Sequence, residues 1–183
     1  MARVGVLALQ GGYAAHVDAL KSIGCEAVLV RYAEQLDTLE GLILPGGEST
    51  THLKILAREA LGDPLDTFVR SGRPVLATCA GLILAAREVT SPEQKSFAWL
   101  DVCVQRNGWG RQLDSFEAFS DDGTLPLLFI RAPRITQVGT TTEVLATYEN
   151  EPVFVRQGSF YGATFHPELT RDPQVHQRVF GEL

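Results

Sequence analysis

Apolar residues fall into two rhythms along the first half of this chain. Some segments are apolar at nearly every position, and others space their apolar residues three or four apart. Val4-Gly5-Val6-Leu7-Ala8-Leu9 is of the first kind and stops at Gln10-Gly11-Gly12. A strand apolar on both faces is what a parallel sheet covered by helices needs. Ala27-Val28-Leu29-Val30, Leu42-Ile43-Leu44 and Pro74-Val75-Leu76-Ala77-Thr78 repeat the pattern. In between, Tyr13, Val17, Leu20 and Ile23 keep helical spacing up to Gly24, a residue suited to end a helix. Asp63-Pro64 reads as an N-cap with proline at the first helical position, and Ser71-Gly72 as the end of that helix. Residues 80–87 read as a helix starting directly after the fourth strand. Four strands joined through helices predict a doubly wound α/β sheet.

After residue 100 the segments shorten. Residues 101–104, 127–130, 143–148, 153–155 and 159–165 read as strands, with a hairpin turn at Asn150-Glu151. Residues 173–180 read as a last helix. No internal repeat, low-complexity run or linker interrupts the chain, so residues 1–183 are expected to form one domain.

Composition narrows the class. Of 183 residues, 45% are hydrophobic and 21% charged, a globular mix. No apolar stretch reaches the ~20 residues that cross a bilayer, so no membrane association is expected. The start runs straight into a strand-like segment rather than a signal peptide. Sixteen basic against 22 acidic residues give a net charge of −6, with no basic cluster, which argues against nucleic acid as a partner. The three cysteines, Cys25, Cys79 and Cys103, are too few and too scattered for a disulfide framework or a zinc site. A reducing, cytoplasmic setting with no metal is expected.

Three local patterns carry chemistry. Ala77-Thr78-Cys79-Ala80-Gly81 joins an apolar strand to a helix. A side chain on such a turn is lifted out of the sheet, and the helix N-terminus favours the reactive thiolate. The alternative is a buried, inert cysteine, the commoner fate of a free thiol, and Cys25 and Cys103 both read as structural in that way. His166-Pro167-Glu168 follows a strand. Positions i and i+2 of an extended chain face one side, and proline stiffens the segment, so base and orienting carboxylate can converge. The alternative is a solvated turn. Leu44-Pro45-Gly46-Gly47-Glu48-Ser49-Thr50 follows a buried strand. Its glycines let backbone N–H groups turn toward a ligand, and Ser49 is placed to cap the next helix. An oxyanion-hole loop and a plain turn both fit. A phosphate loop fits poorly, since no Gly-Lys-Ser/Thr follows. His16 and His176 fall on predicted helices and His52 near a helix start.

Together these motifs resemble a class I, triad-type glutamine amidotransferase. Leu7-Ala8-Leu9-Gln10-Gly11, the run from Pro45 to Thr51, Arg106-Asn107 with Gly110-Arg111-Gln112, Phe129-Ile130-Arg131-Ala132-Pro133, Val155-Arg156-Gln157-Gly158 and the run from Phe165 to Thr170 narrow the resemblance. They are similar to the family of glutaminase subunits of pyridoxal 5′-phosphate synthase, over nearly the whole chain. The resemblance implies a three-layer αβα sandwich with a mostly parallel, flavodoxin-like sheet. It implies hydrolysis of L-glutamine by Cys79 as nucleophile, His166 as base and Glu168 as its orienting partner. Gly47 and Ala80 match the oxyanion donors. Gly47, Glu48, Ser49, Arg106, Ile130 and Arg131 match the glutamine contacts. It further implies ammonia transfer to a ring-forming TIM-barrel synthase subunit of the PdxS type, and no cofactor in this subunit.

The chain departs from the family pattern in places. Ala77 stands where glycine is usual and would resist a positive φ. Gly108-Trp109 replaces a small residue followed by Phe or Tyr. Ala14-Ala15-His16 replaces Arg-Glu-His beside Gln10, on the side where the partner is expected. Residues 91–98 are atypical and have no evident role. The rival readings are another cysteine enzyme on this scaffold, such as a different amidotransferase or a DJ-1/PfpI-type peptidase, and a catalytically silent glutamine-binding regulatory subunit.

Overall fold

A computed structural model of the chain describes residues 1–108 and 115–183. In chain order the strands are β1 (Arg3–Leu7), β2 (Glu26–Val30), β3 (Gly41–Leu44), β4 (Val75–Thr78), β5 (Ala86–Thr90), β6 (Leu100–Gln105), β7 (Phe116–Phe119), β8 (Pro126–Phe129), β9 (Arg134–Val138), β10 (Glu143–Tyr148), β11 (Glu151–Gln157) and β12 (Phe160–Ala163). The helices are α1 (Tyr13–Ser22), α2 (Ser49–Arg58), α3 (Gly62–Arg70), α4 (Ala80–Ala85) and α5 (Gln174–Phe180).

The main sheet has seven strands in the order β10-β11-β12-β4-β3-β1-β2. β2, β1, β3, β4 and β12 run parallel, and β11 turns antiparallel to β12. Alternate residues of one strand feed two separate cores. Leu42, Leu44, Val75 and Ala77 pack with Leu65, Phe68, Leu82 and Leu84 on one face. Ile43, Leu76, Val4 and Val6 pack with Leu20, Val175, Val179 and Phe180 on the other. Helices on both faces of the sheet explain why these strands are apolar at every position. The result is the three-layer αβα sandwich that the resemblance implies.

The second half is richer in strands than its sequence pattern suggests. β5, β6 and β9 form a three-stranded sheet, and β7 and β8 pair separately. The hydrophobic pattern does not announce β5, β7 or β9. The helix expected over residues 80–87 stops at Ala85, and Ala86 opens a strand parallel to β6. Ala-Arg-Glu carries no helix breaker, and the pairing with β6 overrides local propensity there. The β10–β11 turn falls on Glu149 and Asn150, both at positive φ, one residue earlier than expected, while Glu151 is already in β11. α3 begins at Gly62, so Asp63 sits in its first turn rather than at its N-cap. α5 begins at Gln174, and the strand expected over residues 159–165 spans only Phe160–Ala163. No helix among the described residues is long and apolar enough to cross a membrane.

Candidate active site

The loops that leave the C-terminal ends of β1, β3, β4, β6, β8 and β12 meet above the sheet. Open α/β sheets bind ligands at this edge. The loops enclose a cleft of about 460 Å³ lined by Gln10, Gly12, Gly46, Gly47, Glu48, Ser49, Cys79, Ile83, Arg106, Asn107, Ile130, Arg131, His166, Glu168 and Leu169. Every site residue expected from the sequence lines it except Ala80, which is buried directly behind Cys79.

Cys79 joins β4 to α4 at φ 47° and ψ −105°, a strained conformation for a residue with a side chain. Its N–H donates to Ala163 O of β12 at 2.9 Å, and its carbonyl accepts from Ile83 N at 3.1 Å. These two bonds hold the elbow from both sides. Gly81 is obligatory next to it, because a Cβ there would overlap Leu44 O of β3. Ala77 lies in β4 between Leu44 and Gly162 and has no positive φ, so the elbow tolerates alanine at that position. The positive φ falls two residues later, on the cysteine itself. The thiol points into the cleft, with its S–H toward Ile130 O at 3.9 Å.

His166 Nδ1 and Glu168 Oε1 lie 2.7 Å apart, with the carboxylate 1 % exposed. Their convergence is as expected, but not by strand alternation. β12 ends at Ala163, and Pro167–Leu169 form a 3₁₀ turn that folds Glu168 back under the ring. His166 N donates to Leu128 O at 2.8 Å, which fixes the start of the turn to β8. Burial opposes a charge on His166. Its hydrogen bonds and charge interactions with Cys79 and Glu168 outweigh that and raise its pKa to about 10. Burial likewise opposes the charge on Glu168, yet His16 and His166 hold its carboxyl below the usual range.

The Gly46-Gly47 loop closes the other wall. A Cβ on Gly46 would stand 2.5 Å from His166 Cε1 and 3.4 Å from Cys79 Cβ. The loop therefore lies directly over the Cys–His pair. Gly47 has φ +151°, and a Cβ there would meet Gln10 Oε1 at 2.6 Å. Gln10 braces this loop: its side-chain oxygen accepts from Glu48 N at 2.8 Å, and its carbonyl accepts from His52 Nε2 at 2.8 Å. Ala80 is the first residue of α4, where a helical N–H has no intrahelical acceptor. Ser49 does not cap α2. Glu48 occupies the N-cap without a side-chain cap bond, and the Ser49 hydroxyl instead donates to Gln94 Oε1 at 2.9 Å. Residues 91–98 thus contribute Gln94, which supports a cleft residue from behind.

At the mouth, Arg131 has φ 43° and faces Glu48 Oε1 at 3.8 Å, both largely exposed. Arg106 N donates to Thr90 O at 3.0 Å, so β5 anchors that loop. Gly108 is explained by Arg134, whose Cγ would lie 2.5 Å from a Cβ at position 108. Trp109 and Gly110-Arg111-Gln112 lie outside the described residues. Among the described residues, no group of three or more His, Cys, Asp or Glu side chains is arranged to hold a metal ion.

Sequence motifs assign no role to His16 and His176, yet both stand behind the site. His16 from α1 sits behind Glu168, with Nε2 3.4 Å from Glu168 Oε2 and 3.2 Å from Thr78 Oγ1. Its Nδ1 is 2.9 Å from His176 Nε2 of α5. The two histidines lie 160 positions apart, so no local spacing could have paired them.

Known proteins resemble this chain over nearly its whole length. Residues 6–182 match the family model described as the SNO glutamine amidotransferase family. The chain is 49% identical over its full length to the whole of a protein from Solibacter usitatus named pyridoxal 5′-phosphate synthase subunit PdxT. It is 46% identical, over 99% of its length and 98% of the relative's, to a protein of the same name from Thermotoga maritima. A solved structure described as a glutamine amidotransferase superposes with a TM-score of 0.90 at 43% identity, covering 97% of both chains. The chain belongs to the SNO glutamine amidotransferase family.

Proposed function

We propose that the chain acts as a single glutamine amidotransferase domain that hydrolyses L-glutamine to L-glutamate and ammonia, as the glutaminase subunit of pyridoxal 5′-phosphate synthase. The observation that carries this reading is the stacking of Cys79, His166 and Glu168 beneath the Gly46-Gly47 loop in one cleft. The full-length relatives named PdxT support the assignment to the synthase.

The reaction follows from the parts. His166 accepts the Cys79 proton, which its raised pKa favours. The thiolate attacks the side-chain amide carbon of glutamine. The oxyanion rests on the N–H groups of Gly47 and Ala80, and one such donor is generally worth about 10²–10³ in rate. Collapse breaks the C–N bond, and His166 protonates the nitrogen, which leaves as ammonia. Water, deprotonated by His166, then hydrolyses the glutamyl thioester, releasing glutamate and restoring the thiol. Glu168 keeps His166 in the tautomer and orientation these transfers need.

Glu48 and Ser49 line the glutamine site. Arg106 and Arg131 suit the α-carboxylate, because a guanidinium fork binds both oxygens. The Ile130 carbonyl suits the α-ammonium. None of these steps calls on a metal or a bound cofactor. The ammonia passes to a ring-forming synthase subunit of the PdxS type, and the complex works in the cytoplasm.

The test is glutamate release by the purified chain with and without its cognate synthase subunit, beside Cys79→Ala. Release that needs Cys79 and rises with the synthase supports the proposal. No release from the folded complex would sink it and favour a silent glutamine-binding subunit.

A further inference from the structure

Glu168 has two carboxylate oxygens, and the triad uses one. Oε1 bonds His166 Nδ1 at 2.7 Å. Oε2 is buried and makes no formed hydrogen bond. The donor facing it is His16 Nε2 at 3.4 Å, from a ring that is fully buried. We propose that His16 is a positioning residue for the reaction at Cys79: its ring, with N–H at Nε2, backs the outer oxygen of Glu168, so that the inner oxygen stays on His166. This rests on Cys79, His166 and Glu168 being the reacting triad.

The hydrogen positions follow from what each partner can do. An ionised carboxylate only accepts, so the proposal requires the tautomer with N–H at His16 Nε2, facing both Glu168 Oε2 and Thr78 Oγ1. Its Nδ1 is then a bare acceptor, and the proton in the 2.9 Å contact belongs to His176 Nε2. His176 Nδ1 is in turn left bare, and it is buried with no partner. The opposite order would aim the lone pair of His16 Nε2 at the carboxylate. The row of imidazoles is thus directed toward Glu168, with its unmet acceptor at the far end.

Both rings are neutral in this arrangement. Burial lowers the His16 pKa most, Glu168 opposes that lowering, and His166 reinforces it. Burial, reinforced by His16, lowers the His176 pKa to about 3. What His16 offers Glu168 near neutral pH is therefore an N–H dipole rather than a full charge. The groups that bear on this carboxylate are His166 and its own backbone N–H, on its own turn, His16 from α1 and, more remotely, His176 from α5. Those that bear on His16 are Glu168, His166 and, from α5, His176. Thr78 Oγ1, 3.2 Å from His16 Nε2, ties the same ring to the residue preceding Cys79. One imidazole therefore touches both arms of the triad, the elbow and the turn.

The test compares His16→Gln, His16→Asn and His16→Leu in the complex with the cognate synthase subunit, beside Cys79→Ala. Glutamine can place an amide N–H near the Nε2 position, and asparagine is too short. Losing a residue that orients a metal ligand typically costs about 10–100-fold, and a loss of the same order is expected for a residue that orients Glu168. For Leu and Asn the expected result is a fall of that size in kcat for glutamate release, with KM for glutamine unchanged and most of the loss restored in Gln. A second readout is the NMR titration of the His166 imidazole in the folded chain. Its pKa should fall in Leu and Asn and stay near the parent value in Gln. Should Leu fail to fold, Gln against Asn decides. Equal kcat and equal His166 titration in those two would overturn the proposal, as would parent-like behaviour of Leu. Glutamate release that survives Cys79→Ala would instead refute the underlying site assignment.

Discussion

Cys79 and Cys103 start from similar circumstances. Each adjoins or lies within a strand, and they are 7 % and 5 % exposed. Each has a nitrogen group against its sulfur: His166 for Cys79, and Arg87 Nη2 at 3.0 Å for Cys103. The surroundings then diverge. Cys79 sits at a strained elbow and opens into a cleft whose opposite wall is the Gly46-Gly47 loop. Cys103 sits mid-strand in β6, enclosed by Arg87, Glu88 and Gln137. The nitrogen groups differ as well. An imidazole can take a proton and return it, whereas a guanidinium stays charged throughout. Hydrogen bonding to Cys103 raises the Arg87 pKa further. Burial beside a cation therefore does not make a nucleophile. A reversible base, backbone donors and room for an amide make one.

The largest expected effect separates the two sulfurs outright. Cys79→Ala should lower glutamate release at least about a thousandfold, as removal of a nucleophile generally does. Cys103→Ala should leave the rate of the folded enzyme unchanged, and steady-state assays on both complexes check this. Next come two glycines. Gly46→Ala puts a methyl 2.5 Å from His166 Cε1 and should cost about 100-fold in kcat, the penalty for displacing a reacting group by about 1 Å. Gly139→Ala drives a methyl into the Asp101 carboxylate, which pairs with Arg87. It should cost about 1–3 kcal/mol of stability yet keep kcat per folded molecule. Urea melts beside active-site titration separate the two outcomes.

A smaller contrast lies in alkylation. Iodoacetamide should label Cys79 before Cys103, and glutamine should slow only the first, as peptide mass mapping would show. The last contrast is one of pH. His176, on the Cys79 side, has its pKa depressed to about 3 in the fold and takes up a proton near pH 6.5 when unfolded. Its contribution to stability is therefore complete above about 6.5 and lost as pH falls toward 3, at about 1.4 kcal/mol per pH unit. His176→Gln should make the acid limb of unfolding free energy against pH shallower by that slope. Cys103→Ala should not change it.

Much of this was legible in the chain. β1 to β4 are apolar on both faces because helices cover both faces, and that pattern shows in the residues alone. The elbow was legible because Cys79 is flanked by Ala77, Ala80 and Gly81, small residues that only a crowded turn requires. The His166–Glu168 pairing was also visible, but its route was not. A Pro-initiated turn brings Glu168 back, and strand periodicity does not describe that. β5 and β9 went unread because their stability comes from pairing with β6 across long sequence separations. The same reason hid His16 and His176. Their meaning depends on α1 and α5 packing on one face of the sheet, and no spacing within either helix records it.

The central claim is that Cys79, and no other thiol, attacks the glutamine amide. The direct measurement is covalent capture with an electrophilic glutamine analogue, a chloroketone in place of the amide, in the complex with the cognate synthase subunit. Peptide mass mapping then locates the adduct. The account predicts one adduct per chain on Cys79, suppressed by excess glutamine and absent in Cys79→Ala. An adduct on Cys25 or Cys103 that tracks with loss of activity, or full inactivation with Cys79 unmodified, would contradict it.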